Sequence, residues 1–540
     1  MSKLKIHAKK SVADHSKFQD KAVINFMDGT SYNINPLDTL KIIAASSIFG
    51  EPSYYRSSHD KKSHLKGVAT SYKEPDETTT DLFTKAIDAA LDYDFKGVLD
   101  LAVELRRQYF MRFNPSVILV RASLHKGRID FNKTYGSLMR GIGRAIIQRP
   151  DDITNQFEYY MYLKGSKNNL PGILKRVWAD RLSEFDRYQI SKYQSKSLRD
   201  LVRISHAHSS IIDELMKLQS GVLPLEEDAT TWERLRSDEK SWKEIWSTIT
   251  IPHMALLRNL RGIFTEIEDT ELASEILIAL KEGVCKGKQF PFRYYTALKF
   301  IESEGTVNHK GLVLDALEEC IDKAMENFPK LKGRTICLSD NSGSAWEGLT
   351  SEYGSTCVAE IDNLSSIMTA YNSDEGEVGI FGDELKIYPV SKRNGILTQL
   401  KSVSGNGRSD CAGVGGNTEN GIWIFFRDAI SKKIHYDNIF IYSDQQAGHG
   451  DLYGVDPREY KEYAYKQSSR HIDVLKLVQD YREKVNSKVN IFSIQTAGYD
   501  NSVLPENLYR GTILTGWTGK EAVYAHSLIN IWNDIESRKQ

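Results

Sequence analysis

Thr335-Ile336-Cys337-Leu338-Ser339-Asp340-Asn341-Ser342-Gly343-Ser344 is the stretch that decides how this chain reads. Its first half is apolar and β-prone, as in a buried strand. Its second half sets a carboxylate and two hydroxyls at alternate positions, Asp340, Ser342 and Ser344, on a loop leaving that strand. Oxygen donors at this spacing suit a hard divalent cation that keeps some of its water. Mg²⁺ is the first choice and Mn²⁺ the alternative. The same residue types also form ordinary turns and helix N-caps, so a plain structural reading stands beside the metal one.

Around this loop, β-rich apolar runs alternate with helical segments from about Gly333 onward. Strands are expected at 335–338, 377–381, 439–442, 489–494 and 511–514. Helices are expected at 355–371, 395–402, 460–485 and 521–532. Segment 421–429 reads as either. The alternation predicts a doubly wound α/β sheet with its ligands at the strand C-termini.

Before Gly333 the texture differs. From about Asn35 to Gly311 the chain reads as helix after helix. Leu82, Ala86, Ala89 and Tyr93 share one face, as do Val98, Leu101, Ala102 and Leu105. Further helices are expected at 116–123, 135–148, 173–185, 198–206 and 251–263. Breaks are expected at Pro115, Pro150, Pro171-Gly172 and Pro252. A long series of paired antiparallel helices implies a HEAT-like α-solenoid, although no clean sequence repeat is visible. Residues 1–25 read as a loose basic arm.

The chain has 540 residues, enough for more than one domain. Its five cysteines are scattered, with no C-x-x-C pair, so neither a disulfide framework nor a zinc site is expected. No secretory signal and no membrane-length apolar run is visible, and a cytoplasmic protein is expected. Net charge is −1, but residues 101–210 hold 20 Lys/Arg against 9 Asp/Glu, an excess of +11 that leaves −12 for the rest. Charge segregated in this way can draw a polyanion to one region.

The strand, the D-x-S-x-S loop and the helix after it resemble the start of a von Willebrand factor A-like domain with its metal-ion-dependent adhesion site, or MIDAS. Such a domain adds a Thr from a second loop and an Asp from the end of a later strand. Val414-Gly415-Gly416-Asn417-Thr418-Glu419 and Asn438-Ile439-Phe440-Ile441-Tyr442-Ser443-Asp444 match those places in order. The resemblance therefore implies Asp340, Ser342, Ser344, Thr418 and Asp444 as metal ligands, with one position left open for a partner's carboxylate. An Asn inserted before Thr418 departs from the G-G-T-D pattern.

A helical array followed by an A-type domain also resembles the Ro family, whose helical ring is the TROVE module. Three segments carry the likeness: Ile190-Ser191-Lys192-Tyr193-Gln194-Ser195-Lys196-Ser197-Leu198-Arg199-Asp200-Leu201-Val202-Arg203-Ile204-Ser205-His206, Ile251-Pro252-His253-Met254-Ala255-Leu256-Leu257-Arg258-Asn259-Leu260, and Gln289-Phe290-Pro291-Phe292-Arg293-Tyr294-Tyr295. It implies a HEAT-repeat ring over 26–330, closed by the A domain at 331–540 and acting as a monomer. Such a ring binds small structured, Y-like non-coding RNA on its outer basic surface. It takes single-stranded 3′ ends of misfolded RNA in its central hole. The implied work is RNA quality control or ribonucleoprotein scaffolding, with an exoribonuclease as partner. The family's Y RNA residues map to Lys192, Lys196 and His206. Lys196 stands where the family has Arg, so charge is kept and the planar fork is lost.

Read without the family, Arg199, Arg203 and His206 share one face of a helix expected to start at Leu198 behind Ser197. Lys192 and Lys196 then precede its positive N-terminus, which favours phosphate. The bland alternative is a solvated amphipathic helix. Arg106, Arg107, Arg140, Arg144, Lys175 and Arg176 are weaker RNA candidates, interleaved with tyrosines and Trp178. No catalytic motif emerges: H-E-x-x-H, G-x-S-x-G and a proper P-loop are all missing. The expected protein is therefore a non-enzymatic RNA binder. The rival is a scaffold whose A-domain metal grips a protein partner.

Overall fold

The computed structural model describes residues 22–24, 30–32, 35–46, 79–107, 111–193, 196–219, 223–224, 230–287, 289, 291–347, 357–416, 419–443, 461–465, 468–472, 474–496, 504, 508–515 and 521–538. They fall into two compact units, one drawn from 34–52 and 72–229, the other from the remainder.

The elements described in the first unit are all helices: Pro36–Ser46, Thr79–Tyr93, Phe95–Arg107, Phe113–Leu124, Arg128–Tyr135, Leu138–Ile146, Pro150–Lys164, Gly172–Glu184, Arg187–Tyr193, Lys196–Ser205 and Ser210–Lys217. The apolar stripe on Phe95–Arg107 buries Val98, Leu99, Leu101, Ala102 and Leu105. Trp178 is fully buried, and its indole donates to Gln156 Oε1 at 2.8 Å. Gln156 in turn donates to Ser116 Oγ, so three helices share one satisfied polar thread through the core. The helix expected at 135–148 forms as Leu138–Ile146, and Gly136, at a left-handed φ of 58°, separates it from the helix Arg128–Tyr135 before it. Pro115 sits in the first turn of Phe113–Leu124 and opens that helix rather than breaking one.

A repeat hidden in the sequence is visible in the contacts. Arg140 meets Asp180, Arg144 meets Glu184 and Gln156 meets Ser116, each pair 40 residues apart. The second unit does the same: His253 meets Tyr294 and His309 meets Glu268 at 41, and Arg261 meets Glu304 at 43. A spacing near 40 is one helix pair stacked on the next, the HEAT period. The side chains that carry it differ from pair to pair, so no residue pattern recurs.

The second unit begins with the helices Trp232–Ser237, Trp242–Thr248, His253–Arg258, Leu260–Glu266, Thr270–Gly287, Pro291–Ser303 and Lys310–Ala324. The helix expected at 251–263 is two, divided at Asn259. His253 lies against Gly283 and Gly287 and is hydrogen-bonded through Nε2 to Tyr294 OH at 2.7 Å. Burial pushes its imidazole below the ordinary 6.5. Below 6.5 the unfolded chain takes up a proton that the folded chain refuses, so stability falls as pH drops through that window. It levels off once the native imidazole is itself protonated. Thermal melts from pH 7.5 downward should show this loss, and His253→Gln should remove it.

The sheet follows in the same unit. Its strands are β1 (Leu331–Asp340), β2 (Ser373–Phe381), β3 (Leu385–Pro389), β4 (Asn438–Ser443), β5 (Asn490–Gln495) and β6 (Gly511–Thr515), in the order β3-β2-β1-β4-β5-β6. All neighbours are parallel except β2 and β3. Residues 335–340 of β1 are buried throughout, as a central parallel strand requires. Helices Val358–Tyr371, Ile396–Ser404, Glu419–Ser431, Val474–Lys484 and Glu521–Arg538 complete the α/β layering. The expected strands all form. Segment 421–429 lies within the helix Glu419–Ser431.

Three local expectations change. The edge strand β3 was not anticipated; it ends in Pro389, where an edge tolerates a missing donor. The helix expected at 460–485 shortens to Val474–Lys484. The strands Ala464–Tyr465 and Ser468–Ile472 pair antiparallel before it. Tyr463, ahead of that helix, is buried and donates to Asp480 Oδ2 at 2.6 Å on it. Within the supposed arm, Ala22–Ile24 forms a strand paired with Thr30–Tyr32.

The helical segment and the sheet are joined inside this unit. Glu360 on Val358–Tyr371 accepts from Lys299 at 2.9 Å and from Tyr295 at 3.4 Å. Asp322 accepts from the Ile396 N–H at 2.8 Å, capping the helix Ile396–Ser404. The change of texture near Gly333 therefore falls within one compact unit. Among the described residues no helix is long and apolar enough to cross a membrane.

Candidate functional site

In the sheet, β1 pairs with β2 on one side and β4 on the other, so the strand order reverses between β1 and β4. The C-terminal end of that pair is the crevice where doubly wound sheets bind ligands. Asp340 closes β1 there and Ser443 closes β4. Ser443 Oγ donates to Asp340 Oδ2 at 2.7 Å, and the Ser342 N–H donates to Oδ1 at 2.9 Å. Asp340 and Ser342 are fully buried, whereas Ser344 is exposed, so the loop opens to solvent on the Ser344 side.

Ser342 Oγ and Ser344 Oγ stand 3.2 Å apart. Two adjacent ligands about 2.1 Å from one Mg²⁺ lie about 3.0 Å apart, so this pair of hydroxyls fits neighbouring corners of one octahedron. The second loop is held against the first: the Gly343 N–H donates to Gly416 O at 2.9 Å. The described chain thus brings the loop at 340–344, the loop at Gly416 and the end of β4 to one place. Thr418 and Asp444, two residues past Gly416 and one past Ser443, lie outside the described residues. Among the described residues no cluster of three or more His, Cys, Asp or Glu side chains could hold a metal ion. The candidate set here is one carboxylate and hydroxyls, as Mg²⁺ accepts.

The RNA candidates divide by environment. Lys192 is exposed; its ammonium donates to Tyr188 OH at 2.9 Å and lies 5.2 Å from that ring's centroid. Tyr188, 38% exposed, is a surface aromatic that the sequence reading passed over. The i, i+4 spacing of Tyr188 and Lys192 was its available signal. The helix begins at Lys196, not Leu198, so Lys196 lies in its first turn instead of before it. Arg203 is exposed and pairs with Asp200 at 2.9 Å. His206 is exposed just past the helix at a left-handed φ of 59°. Arg199, one turn before Arg203 on the same side of the helix, is half-buried and donates to Leu218 O at 3.4 Å.

Arg106 is a core residue. It is 6% exposed, bonds Asp152 at 2.7 Å, and donates to Ile146 O and Met111 O. Burial lowers its pKa against the pull of Asp152. Arg140 and Arg144 are tied to Asp180 and Glu184, and the Arg140 hydrogen bond holds the Asp180 carboxyl below its ordinary value. These three arginines carry structure between helices. Arg107 and Arg176 are exposed and Lys175 is half-buried.

The +11 excess of residues 101–210 is also offset in the fold. Arg121 pairs with Asp88, Lys126 with Asp92 and Arg187 with Glu214, acids from outside that window. Over 34–52 and 72–229 the count is 25 Lys/Arg against 24 Asp/Glu, a net of +1. The cationic character is therefore local. It concentrates at 187–206, where five Lys/Arg face a single acid, Asp200.

Residues 216–310 match the TROVE domain family. No curated protein sequence matches the chain. Among solved structures, the crystal structure of the Deinococcus radiodurans RO (RSR) protein is similar, with a TM-score of 0.61 and 12% sequence identity. The likeness covers 92% of this chain and 99% of that one, and at this identity it describes the fold.

Proposed function

We propose that the chain, whose residues 216–310 match the TROVE domain family and whose fold resembles a Ro protein, binds RNA, with recognition centred on residues 187–206. The observation that carries this is local. Lys192, Arg203 and His206 are exposed in a segment with five Lys/Arg and one acid, and Tyr188 offers a ring beside Lys192. Ammonium and guanidinium groups would meet phosphates while an exposed ring stacks on a base. Small structured, Y-like RNA and the single-stranded 3′ ends of misfolded RNA are the ligands this reading takes from the family. Its role would be RNA quality control or ribonucleoprotein scaffolding beside an exoribonuclease, as a monomer and without catalysis of its own. The five cysteines are all free thiols, which supports a reducing, cytoplasmic setting.

The cation belongs to the same proposal. Asp340, Ser342 and Ser344 would hold Mg²⁺, or Mn²⁺ in its place, with Thr418 and Asp444 completing the set. Bound there, the ion would supply a positive, Lewis-acidic position for a partner's carboxylate. Asp340 orients the loop by accepting from Ser342 and Ser443, and Ser344 is the ligand nearest solvent.

The test is binding of a labelled RNA hairpin with a single-stranded 3′ tail, titrated at rising salt. Affinity should fall steeply with salt, because phosphate contacts release counterions. Lys192→Glu combined with Arg203→Glu should weaken binding by about tenfold or more, since charge is reversed at two phosphate-facing positions. Unchanged affinity in that double variant would send the RNA to another surface. The geometry at Ser342 and Ser344 favours a second reading, a metal-dependent protein scaffold. A protein partner lost on Asp340→Ala, with no RNA bound at any salt, would select it.

A further inference from the structure

We propose that Asn363 is a positioning residue for the cation loop, acting through Asn341. The inference rests on the metal reading above and adds to it the group that fixes the loop's shape.

Asp340, Ser342 and Ser344 alternate with Asn341 and Gly343, and Asn341 bonds to a different element from the candidate ligands. It meets Asn363 on the helix Val358–Tyr371 in a reciprocal amide pair. Asn341 Nδ2 donates to Asn363 Oδ1 at 2.8 Å, and Asn363 Nδ2 donates to Asn341 Oδ1 at 2.9 Å. Ser339 Oγ also donates to Asn363 Oδ1 at 2.7 Å, and Asn363 Nδ2 also donates to Ser404 Oγ at 3.2 Å. Asn341 Nδ2 reaches back to Ser339 O at 3.1 Å, and the Asn341 N–H donates to Phe381 O at 2.8 Å. Ser339, Asn341 and Asn363 are all 0% exposed.

A primary amide has two donor hydrogens and two acceptor lone pairs, and all four are used at Asn363. A fully satisfied buried network of this kind has one arrangement, whereas a partly satisfied one has several. The residues on either side of Asn341 are Asp340 and Ser342, so fixing the Asn341 side chain fixes the backbone that carries two candidate ligands. Asn363 thereby stands to the cation loop as an outer partner stands to a metal ligand, and loss of such a partner costs about 10–100-fold in metal affinity. Leucine keeps the branched four-atom side-chain skeleton of asparagine and makes none of its hydrogen bonds, so Asn363→Leu removes the clamp.

The helix is anchored independently. Glu360 bonds Lys299 and Tyr295, and Asp362 accepts from Thr496 Oγ1 at 3.0 Å. Removing the Asn363 amide should therefore free the loop from the helix without freeing the helix.

The experiment is Mn²⁺ titration of the full chain by electron paramagnetic resonance, with cation-free melting temperature measured alongside. The variants are Asn363→Leu, Asn341→Ala, their double, and Asp340→Ala. Expected results are strong loss of binding in Asp340→Ala and an affinity about 10–100-fold weaker in each single asparagine variant. The double should be no worse than the weaker single, because both act through one pair. The rise in melting temperature on adding Mn²⁺ should shrink in step, which a purely structural role would not cause. Should Asn363→Leu not fold, Asn341→Ala carries the test, since it alters only the loop. Wild-type affinity in folded Asn341→Ala or Asn363→Leu, with binding lost in Asp340→Ala, overturns the positioning role and leaves the site standing. A wild-type chain that takes up no Mn²⁺ overturns both.

Discussion

Asp152→Ala is expected to destabilise the helical unit by about 3–5 kcal/mol, the cost of stripping one partner from a buried ion pair. Asp152 is 1% exposed and accepts through Oδ2 from the Arg106 guanidinium at 2.7 Å. The same oxygen accepts from the Gln148 and Arg149 N–H groups at 3.0 and 3.1 Å, capping Pro150–Lys164. Alanine would leave a guanidinium buried without its counter-charge and a helix without its cap. Arg107, the exposed neighbour of Arg106, supplies the contrast: Arg107→Ala should move stability by less than about 0.5 kcal/mol. Chemical denaturation of the two variants checks both figures, and equal effects would mean that Arg106 is not the core residue described.

Gly382→Ala is expected to weaken Mn²⁺ binding by at least about tenfold and to cost about 1–3 kcal/mol through overpacking. A Cβ at Gly382 would lie 2.1 Å from Gly415 O and 3.0 Å from Val414 O, both backbone atoms with little room to yield. The two loops are interlocked, since the Glu384 N–H donates to Val414 O at 2.9 Å. Moving 414–416 aside would pull Gly416 O from the Gly343 N–H and open the loop that leads to Thr418. Gly416→Ala is the control, because a Cβ there meets nothing within 4 Å. Melting temperature and Mn²⁺ titration of both variants decide it. Equal cation affinity in Gly382→Ala and wild type would detach the second loop from the proposed cation site.

The contrast between Arg106 and Arg203 shows where the residues alone were readable. Both looked like surface cations in a basic stretch. Arg203 is one: it is exposed, and its acidic partner Asp200 is three residues away on its own helix. Arg106 is not, because its partner Asp152 is 46 residues away. Arg140 and Arg144 are exposed, but each pairs with an acid 40 residues on, Asp180 and Glu184. Helical periodicity tells which face is apolar, but not which charge the next helix pair will present. The HEAT period lay hidden likewise, carried by contacts between unlike residues.

Local chemistry by itself determined the strand into Asp340, the alternating Ser342 and Ser344, the helix-rich first half and the α/β second half. Each depends on residues within a few positions of one another, where period and turn preference act directly. Tertiary structure alone decided that β4 lies beside β1, so that Ser443 touches Asp340, and that Asn341, a spacer in the motif, is clamped by Asn363. Those contacts span 103 and 22 residues. They arise from the packing of strands and helices against one another, which no local pattern encodes.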